Sequence, residues 1–432
     1  MRILLLNQTF YPDVASTAQH AADLASALAA AGHEVTVIAS RHAYDSPSQL
    51  FARSETWRGV RILRIRSTTF GKSAHWRRAL DFASFTLASA FRLALLRNFD
   101  VVIALTSPPL ISAVAALYVR TRGGSLVSWI MDLNPDEAIA AAALRETSLL
   151  ARGLSRLLKF SLSASAAIVV LDRFMRDRIV AKGLPDARIF ILPPWSHDSV
   201  VNYDPGAGDR FRAAHGLSGK FVVMYSGNHS PCHPLDTVLH AAREMAAGPD
   251  VAFLFVGGGS EFRKVREFAA AHSLSNVQCL PYQPLESLAG SLSAADLHLV
   301  VMGDAFVGIV HPCKIYNILA TGCPYLYVGP SPSHVTEVAN GAPAGEAWLA
   351  RHGDVEGVVA CIRQAAALGQ RRCLDNSGLA RQFSAASLLS RMIDVVESCC
   401  PPHPAPAIGP DHLRPDAPES YGSDRASRLP SQ

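Results

Sequence analysis

The sequence predicts an α/β protein of two Rossmann-like, doubly wound domains facing a cleft. Three observations carry this prediction. Two successive series of short, predominantly apolar segments alternate with segments of helical period. A polar, Gly- and Pro-containing stretch separates the series, and 432 residues at 49% hydrophobic can bury more than one core.

The first series takes residues 3–6, 34–39, 101–105, 126–130, 167–171 and 188–192 as strands. Runs such as 3–6 and 101–105, apolar throughout, suit a parallel sheet covered on both faces. Between the first two, Ala21, Leu24, Ala25 and Leu28 recur at helical spacing, and Gly32-His33 turns the chain into the next strand, completing a βαβ unit. The strand pattern stops at Pro193-Pro194-Trp195, so the domains are placed at 1–193 and 194–398. The second series takes residues 221–225, 251–256, 277–280, 297–301 and 325–328. A last helix, about 384–398, carries Leu388, Leu389, Met392, Ile393 and Val396 on one broad face and is expected to dock back on the body. Residues 399–432 read as a disordered tail, because eight prolines follow from Pro401 with hardly any large apolar side chain.

Lys plus Arg is 40 against 36 Asp plus Glu, a balance of +4 that argues against a nucleic-acid partner. The eight cysteines form no CxxC pair and no His/Cys spacing that would hold zinc, so a reducing cytoplasm and no metal centre are expected. Met1-Arg2 leads through a short apolar run to polar Asn7-Gln8, unlike a secretory signal. The apolar stretch 101–119 is broken by Thr106-Ser107-Pro108-Pro109, which excludes a membrane span there.

Ligands of such sheets sit beyond the carboxyl ends of the strands, so the post-strand segments are the candidates for chemistry. Gly227 and Asn228 follow the first strand of the second domain, where a glycine lets backbone amides approach an anion. Gly257, Gly258 and Gly259 repeat the arrangement after the next strand. Each run has a second reading: the first as a tight turn needing glycine for backbone geometry alone, the other as a flexible strand-to-helix turn. The most informative segment is 311–324, HPCKIYNILATGCP. Lys314 sits in the first turn of its helix, where a cation is unfavourable unless an anion is present; the other reading points it into solvent.

The opening RILLLNQTFYPD…GHEVTVIAS, the YSGN loop, FLFVGGGSE, LPYQPLESLAGSLSAADLHLV and KIYNILATGCP, in this order, resemble retaining glycosyltransferases of family four with the GT-B fold. The likeness spans about residues 1–398 and is nearest the bacterial exopolysaccharide and O-antigen branch. It implies a nucleotide-sugar donor on the C-terminal domain, an acceptor on the N-terminal domain and no metal cofactor; no DxD triplet is present. The family's cations after the glycine loop correspond to Asn228 and His233, so diphosphate neutralisation is expected from Lys314, backbone amides and a protonated His233. The paired glutamates of the family's E-x7-E pattern fall on Ile309 and Asn317, of which Asn317 can still donate and accept hydrogen bonds. The usual first-loop glycine pair is missing from residues 11–17. By the same resemblance, Tyr282 lies near the nucleotide base.

Asp132 follows an N-domain strand and resembles the branch's Asp-x-x-Pro element, a carboxylate able to orient or deprotonate an acceptor hydroxyl. It, or Asp136, reads equally well as a helix cap. His20 and His33 read as structural or surface residues. The segment 72–97 combines Lys72, Arg77, Arg78, Arg92 and Arg97 with Phe82, Phe85, Phe91 and several leucines. Such a helix either lies on an anionic membrane, at the inner face of the cytoplasmic membrane where a lipid-linked acceptor would be met, or is a half-buried domain helix.

The function expected is transfer of a sugar to a hydroxyl acceptor with retention at the anomeric carbon, in cell-surface polysaccharide synthesis. A nucleotide-sugar-binding protein without transferase activity and a non-hydrolysing epimerase remain open alternatives. A dehydrogenase is disfavoured, because neither domain carries GxGxxG after its first strand.

Overall fold

The computed structural model describes residues 1–400 except 14, 44–47, 72–74, 198–200, 249, 344 and 370–376. The tail beyond 400, Lys72 and Cys373 therefore lie outside the described residues. The first sheet has eight strands: β1 (Arg2–Leu6), β2 (Glu34–Ser40), β3 (Ser54–Trp57), β4 (Val60–Ile65), β5 (Val101–Ala104), β6 (Ser125–Trp129), β7 (Ser165–Val170) and β8 (Ile189–Ile191). Its order is β3-β4-β2-β1-β5-β6-β7-β8, parallel but for β3 on β4. Helices α1 (Ser16–Ala30), α2 (His75–Ala94), α3 (Ser112–Arg122), α4 (Asp136–Ala140), α5 (Leu149–Ser163) and α6 (Arg173–Ala181) belong to this half.

The second sheet joins β9 (Phe221–Asn228), β10 (Val251–Gly258), β11 (Val277–Leu280), β12 (Leu297–Val301), β13 (Tyr325–Val328) and β14 (Ala347–Ala350) in the order β11-β10-β9-β12-β13-β14, all parallel. Its helices are α7 (Pro205–Ala214), α8 (Asp236–Glu244), α9 (Phe262–Ala271), α10 (Leu288–Ser293), α11 (Lys314–Thr321), α12 (His334–Asn340) and α13 (Val355–Ala367), followed by α14 (Ser377–Gln382) and α15 (Ala385–Ser398). Strand order reverses between β1 and β5 in one sheet and between β9 and β12 in the other, the switch points where α/β sheets open a crevice.

The central strands are legible because they are dry on both faces: Ile3 to Leu6 and Val101 to Ala104 are each fully buried. Strands β3, β4 and β14 escaped the sequence reading. Strand β4 (VRILRI) hides its inward Arg64 by pairing it with Glu55 on β3, so the charge masks the strand pattern. Strand β14 (AWLA) is short and only half-buried. Strands β9 and β10 also run further than expected, to Asn228 and Gly258, so Gly227, Gly257 and Gly258 are strand ends and not loop residues.

Both sheets belong to one compact unit, Met1–Cys400, with a hydrophobic core running from Ile3 through Ile315 to Val396. Helix α15 packs against α1: Leu388, Met392 and Val396 are at most 2% exposed, and burying each such side chain is worth roughly 1.5–3 kcal/mol. Glu397 closes the contact with the His33 ring at 2.8 Å.

Candidate active site

On the C-terminal side the site is floored by β9 and β10, registered so that Gly227 faces Gly257 and Asn228 faces Gly258. Gly257 has φ 134°, and a Cβ there would collide with the Gly227 carbonyl; glycine is what lets the two strand ends close up. Tyr282 lies exposed against this floor, its ring 3.0 Å from where a Gly258 Cβ would stand. Gly259 packs its backbone against His229 and the Asn228 side chain, while the Asn228 carbonyl accepts the Tyr225 hydroxyl at 2.8 Å.

Lys314 opens α11 and turns back over this floor. Its Nζ is buried without a hydrogen-bond partner among the described residues, 3.2 Å from the centroid of the Tyr225 ring and 3.4 Å from where a Gly227 Cβ would stand. Burial pulls its pKa from the usual lysine range down to about 7. A buried ammonium resting only on a ring face is short of an anion. Lys314 therefore does not point into solvent.

The helix ends reinforce this. Cys313 precedes α11 and Ala15 precedes α1, neither helix has a side-chain cap, and the two starts meet where Ser16 Oγ lies 3.2 Å from Cys313 Sγ. Two positive helix ends thus converge near Lys314, a setting that favours a negative ligand.

His233 corrects an expectation. Its Nδ1–H donates to the Val301 carbonyl at 2.7 Å, and burial followed by the Lys314 charge lowers its pKa to about 3. It is a neutral structural donor and supplies no cation. Burial, again with the Lys314 charge, lowers His229 to about 4. Asn317 points its Oδ1 at the His197 backbone N–H, 3.0 Å away, so its oxygen already has one donor. Ile309, at the other glutamate position, is 3% exposed and belongs to the core.

The N-terminal wall is the segment after β6. The Leu133 N–H donates to the Ile309 carbonyl at 2.9 Å, and Glu137 reaches the Cys232 thiol at 3.9 Å, so the two halves close around it. Asp132 sits here. Burial and then the neighbouring Glu137 raise its pKa to about 8, with Arg78 of α2 opposing them. The capping reading fails for both aspartates: α4 starts at Pro135 with no side-chain cap, and Asp136 pairs with Lys182 at 2.7 Å. His20 is structural, held between Ser16 and the Trp195 carbonyl, 3.0 Å from the latter.

A second buried group was invisible in the sequence. Asp172, His311 and His334 bring ligand-type atoms within 4.8 Å of one another. The two imidazoles stack at 3.7 Å and 20°, so their lone pairs run side by side, and His311 Nδ1 is engaged by Asp172 at 2.8 Å. That arrangement suits a hydrogen-bonded network better than convergent metal ligands.

Residues 17–195 match the glycosyl transferase 4-like domain. Over 404 residues, 89% of this chain and 98% of the relative, the sequence is 25% identical to an Escherichia coli K12 protein provisionally named a colanic acid biosynthesis glycosyl transferase, WcaI. Among solved structures, sucrose-phosphate synthase from Thermosynechococcus elongatus superposes with a TM-score of 0.73 at 16% identity, over 92% of this chain and 98% of that one. Anabaena HepE in complex with UDP-glucose gives 0.68 at 13% identity, over 92% and 100%. The protein is a glycosyltransferase with the GT-B fold. The match of residues 17–195 to the glycosyl transferase 4-like domain agrees with the family-four resemblance read from the sequence. No helix among the described residues is long and apolar enough to cross a membrane.

Proposed function

We propose that this glycosyltransferase takes a nucleotide-diphosphate sugar as donor and passes the sugar to a hydroxyl acceptor with retention at the anomeric carbon, in cell-surface polysaccharide synthesis. The observation that carries the reading is the buried, unpartnered Lys314 ammonium beside Gly227. Loss of the nucleoside diphosphate develops negative charge, and Lys314, the two helix ends and the strand-end amides meet it where it forms. In this reading Gly227, Asn228 and Gly257 to Gly259 cradle the diphosphate, Tyr282 borders the base and Asn317 contacts the sugar. Asp132 orients the acceptor hydroxyl or takes its proton. The relative named for colanic acid biosynthesis and the neighbour solved with UDP-glucose agree with this donor and product class.

The acceptor is proposed to be lipid-linked and met at the inner face of the cytoplasmic membrane. Support comes from α2, where Trp76, Leu80, Leu87 and Phe91 are all exposed beside Arg77 and Arg78, and from α5, where Leu149, Leu150 and Leu157 are exposed beside Arg152, Arg156 and Lys159.

A thermal-shift screen of nucleotide sugars tests the donor: at 100 times its dissociation constant a true ligand stabilises by ~2.7 kcal/mol. No shift with any nucleotide sugar would remove the reading. Turnover unaffected by a chelator would agree with charge neutralisation by protein groups, and abolished turnover would place a metal in the reaction.

A further inference from the structure

The cluster of Asp172, His311 and Tyr316 lies outside the proposed donor contacts, yet it brackets the residue that carries them. Asp172 comes from the N-terminal half, where its Oδ1 accepts the Met175 N–H at 2.8 Å and so caps α6. Its Oδ2 accepts from His311 Nδ1 at 2.8 Å, and His311 Nε2 accepts the Tyr316 hydroxyl at 2.7 Å. The chain of donors has one direction, Tyr316 to His311 to Asp172, and this fixes the tautomer of the ring. His311 precedes Lys314 by three residues and Tyr316 follows it by two, so the first turn of α11 is held from both sides.

All three side chains are nearly dry: Asp172 is 5% exposed, His311 8% and Tyr316 2%. Burial alone would raise the Asp172 carboxyl; the His311 hydrogen bond, the His311 and His334 rings and the Met175 amide more than offset it and bring it to about 2. A buried carboxylate satisfied in this way is rigid, because any displacement strands a charge. A second contact between the same halves stands beside it, the ion pair of Arg173 on α6 with Glu337 on α12, and it does not touch α11.

We propose that Asp172 is a positioning residue for the donor site: through His311 and Tyr316 the N-terminal half sets the turn of α11 that aims Lys314 at the diphosphate. Donor affinity then depends on this one hydrogen-bonded contact between the halves, and by linkage a bound donor strengthens that contact. The inference rests on the donor reading given above.

The test is calorimetric titration of UDP, ADP and GDP into five full-length proteins: wild type, Asp172→Asn, Tyr316→Phe, the double variant of these two, and Arg173→Ala. Asp172→Asn keeps the size of the side chain and a competent helix cap while removing the charge. The expected result is a loss of at least about fivefold in nucleotide affinity for Asp172→Asn and for Tyr316→Phe, and a double variant less affected than the product of the two. Arg173→Ala should lower the melting temperature yet keep wild-type affinity. In the wild type a slowly exchanging imidazole N–H resonance should be visible and should vanish in Asp172→Asn. Wild-type affinity in folded Asp172→Asn, or an equal loss in Arg173→Ala, would overturn the positioning role and leave the contact as plain domain packing. If the wild type binds none of the nucleotides, the donor reading itself fails, which is a separate outcome.

Discussion

The Lys314 ammonium lies 3.2 Å from the centroid of the Tyr225 ring, a buried cation held by a π face and by no hydrogen bond among the described residues. A site of this kind is unstable by itself and becomes stable when an anion arrives.

The pairing predicts opposite effects on stability and binding from one substitution. Lys314→Met removes a charge whose burial disfavours folding, so the melting temperature should rise at neutral pH. The sign follows from the depressed pKa: between about 7 and the ordinary lysine value the unfolded chain binds more protons than the folded one, so wild-type stability rises with pH across that window. Lys314→Met should flatten that slope. Donor affinity should fall by about 10- to 100-fold, the worth of a hydrogen bond to a charged group. Denaturation at several pH values beside donor titration checks both halves, and unchanged donor affinity would remove Lys314 from the site.

The glycine floor separates two neighbouring positions. Gly257→Ala must place a methyl group against the Gly227 carbonyl at φ 134°, so it should destabilise the fold by roughly 1–3 kcal/mol and abolish donor binding. Gly258→Ala has no such φ, and the nearest atoms its methyl group meets belong to the Tyr282 ring, the closest at 3.0 Å. It should fold normally and change affinity through the displaced tyrosine alone. Chemical denaturation of the two variants decides, and equal stability would contradict the account of the floor.

Asp132 predicts a pH profile. With its carboxyl raised to about 8 by burial and Glu137, the ionised form needed to take a proton from an acceptor gains population as pH rises through that value. At saturating donor, whose diphosphate keeps the proton on Lys314, the acceptor-dependent kcat/KM should therefore climb between pH 7 and 9, roughly tenfold per unit below about 8. Asp132→Asn should remove the climb, lower turnover by about 10²–10⁴-fold and leave donor affinity unchanged. A profile flat across this range in the wild type would return Asp132 to a structural role.

How far these residues were legible depends on where their partners lie in the chain. Strands such as β1 and β5 announce themselves because every residue is buried, and Lys314 stood out because a lysine at a helix start is locally unfavourable. Tyr225 beneath it, 89 positions earlier, left no local trace. His233 was misread for a related reason: its sequence position suggested a cation, but the burial and the Lys314 charge that keep it neutral come from packing against other elements, against which its hydrogen bond to the Val301 carbonyl does not prevail. Asp172 and His311 are 139 residues apart, and only the docking of the two halves makes them one group.

The last prediction concerns α2 and α5 and the lipid surface. On α2 the side chains of Trp76, Leu80, Leu87 and Phe91 are 61, 47, 71 and 70% exposed, and their spacing of four, seven and four residues keeps them on one stripe. An apolar stripe of that size facing water, flanked by arginines, matches a helix lying in the interface of an anionic bilayer. Arg77 and Arg78 are the obvious charges to reverse, but Arg78 also acts on Asp132, so its reversal would alter the site along with the surface. Leu87→Ser with Phe91→Ser is the cleaner change, because both residues lie further along α2. The wild type should sediment with vesicles containing anionic phospholipid and be released by salt, each nearby Lys or Arg contributing about 1 kcal/mol. The double variant should bind the vesicles several-fold more weakly and lose activity on a lipid-linked acceptor, with its melting temperature and its UDP affinity unchanged. Equal sedimentation of the two proteins would show that the stripe does not face lipid and leave α2 as a solvent-facing helix of the N-terminal half.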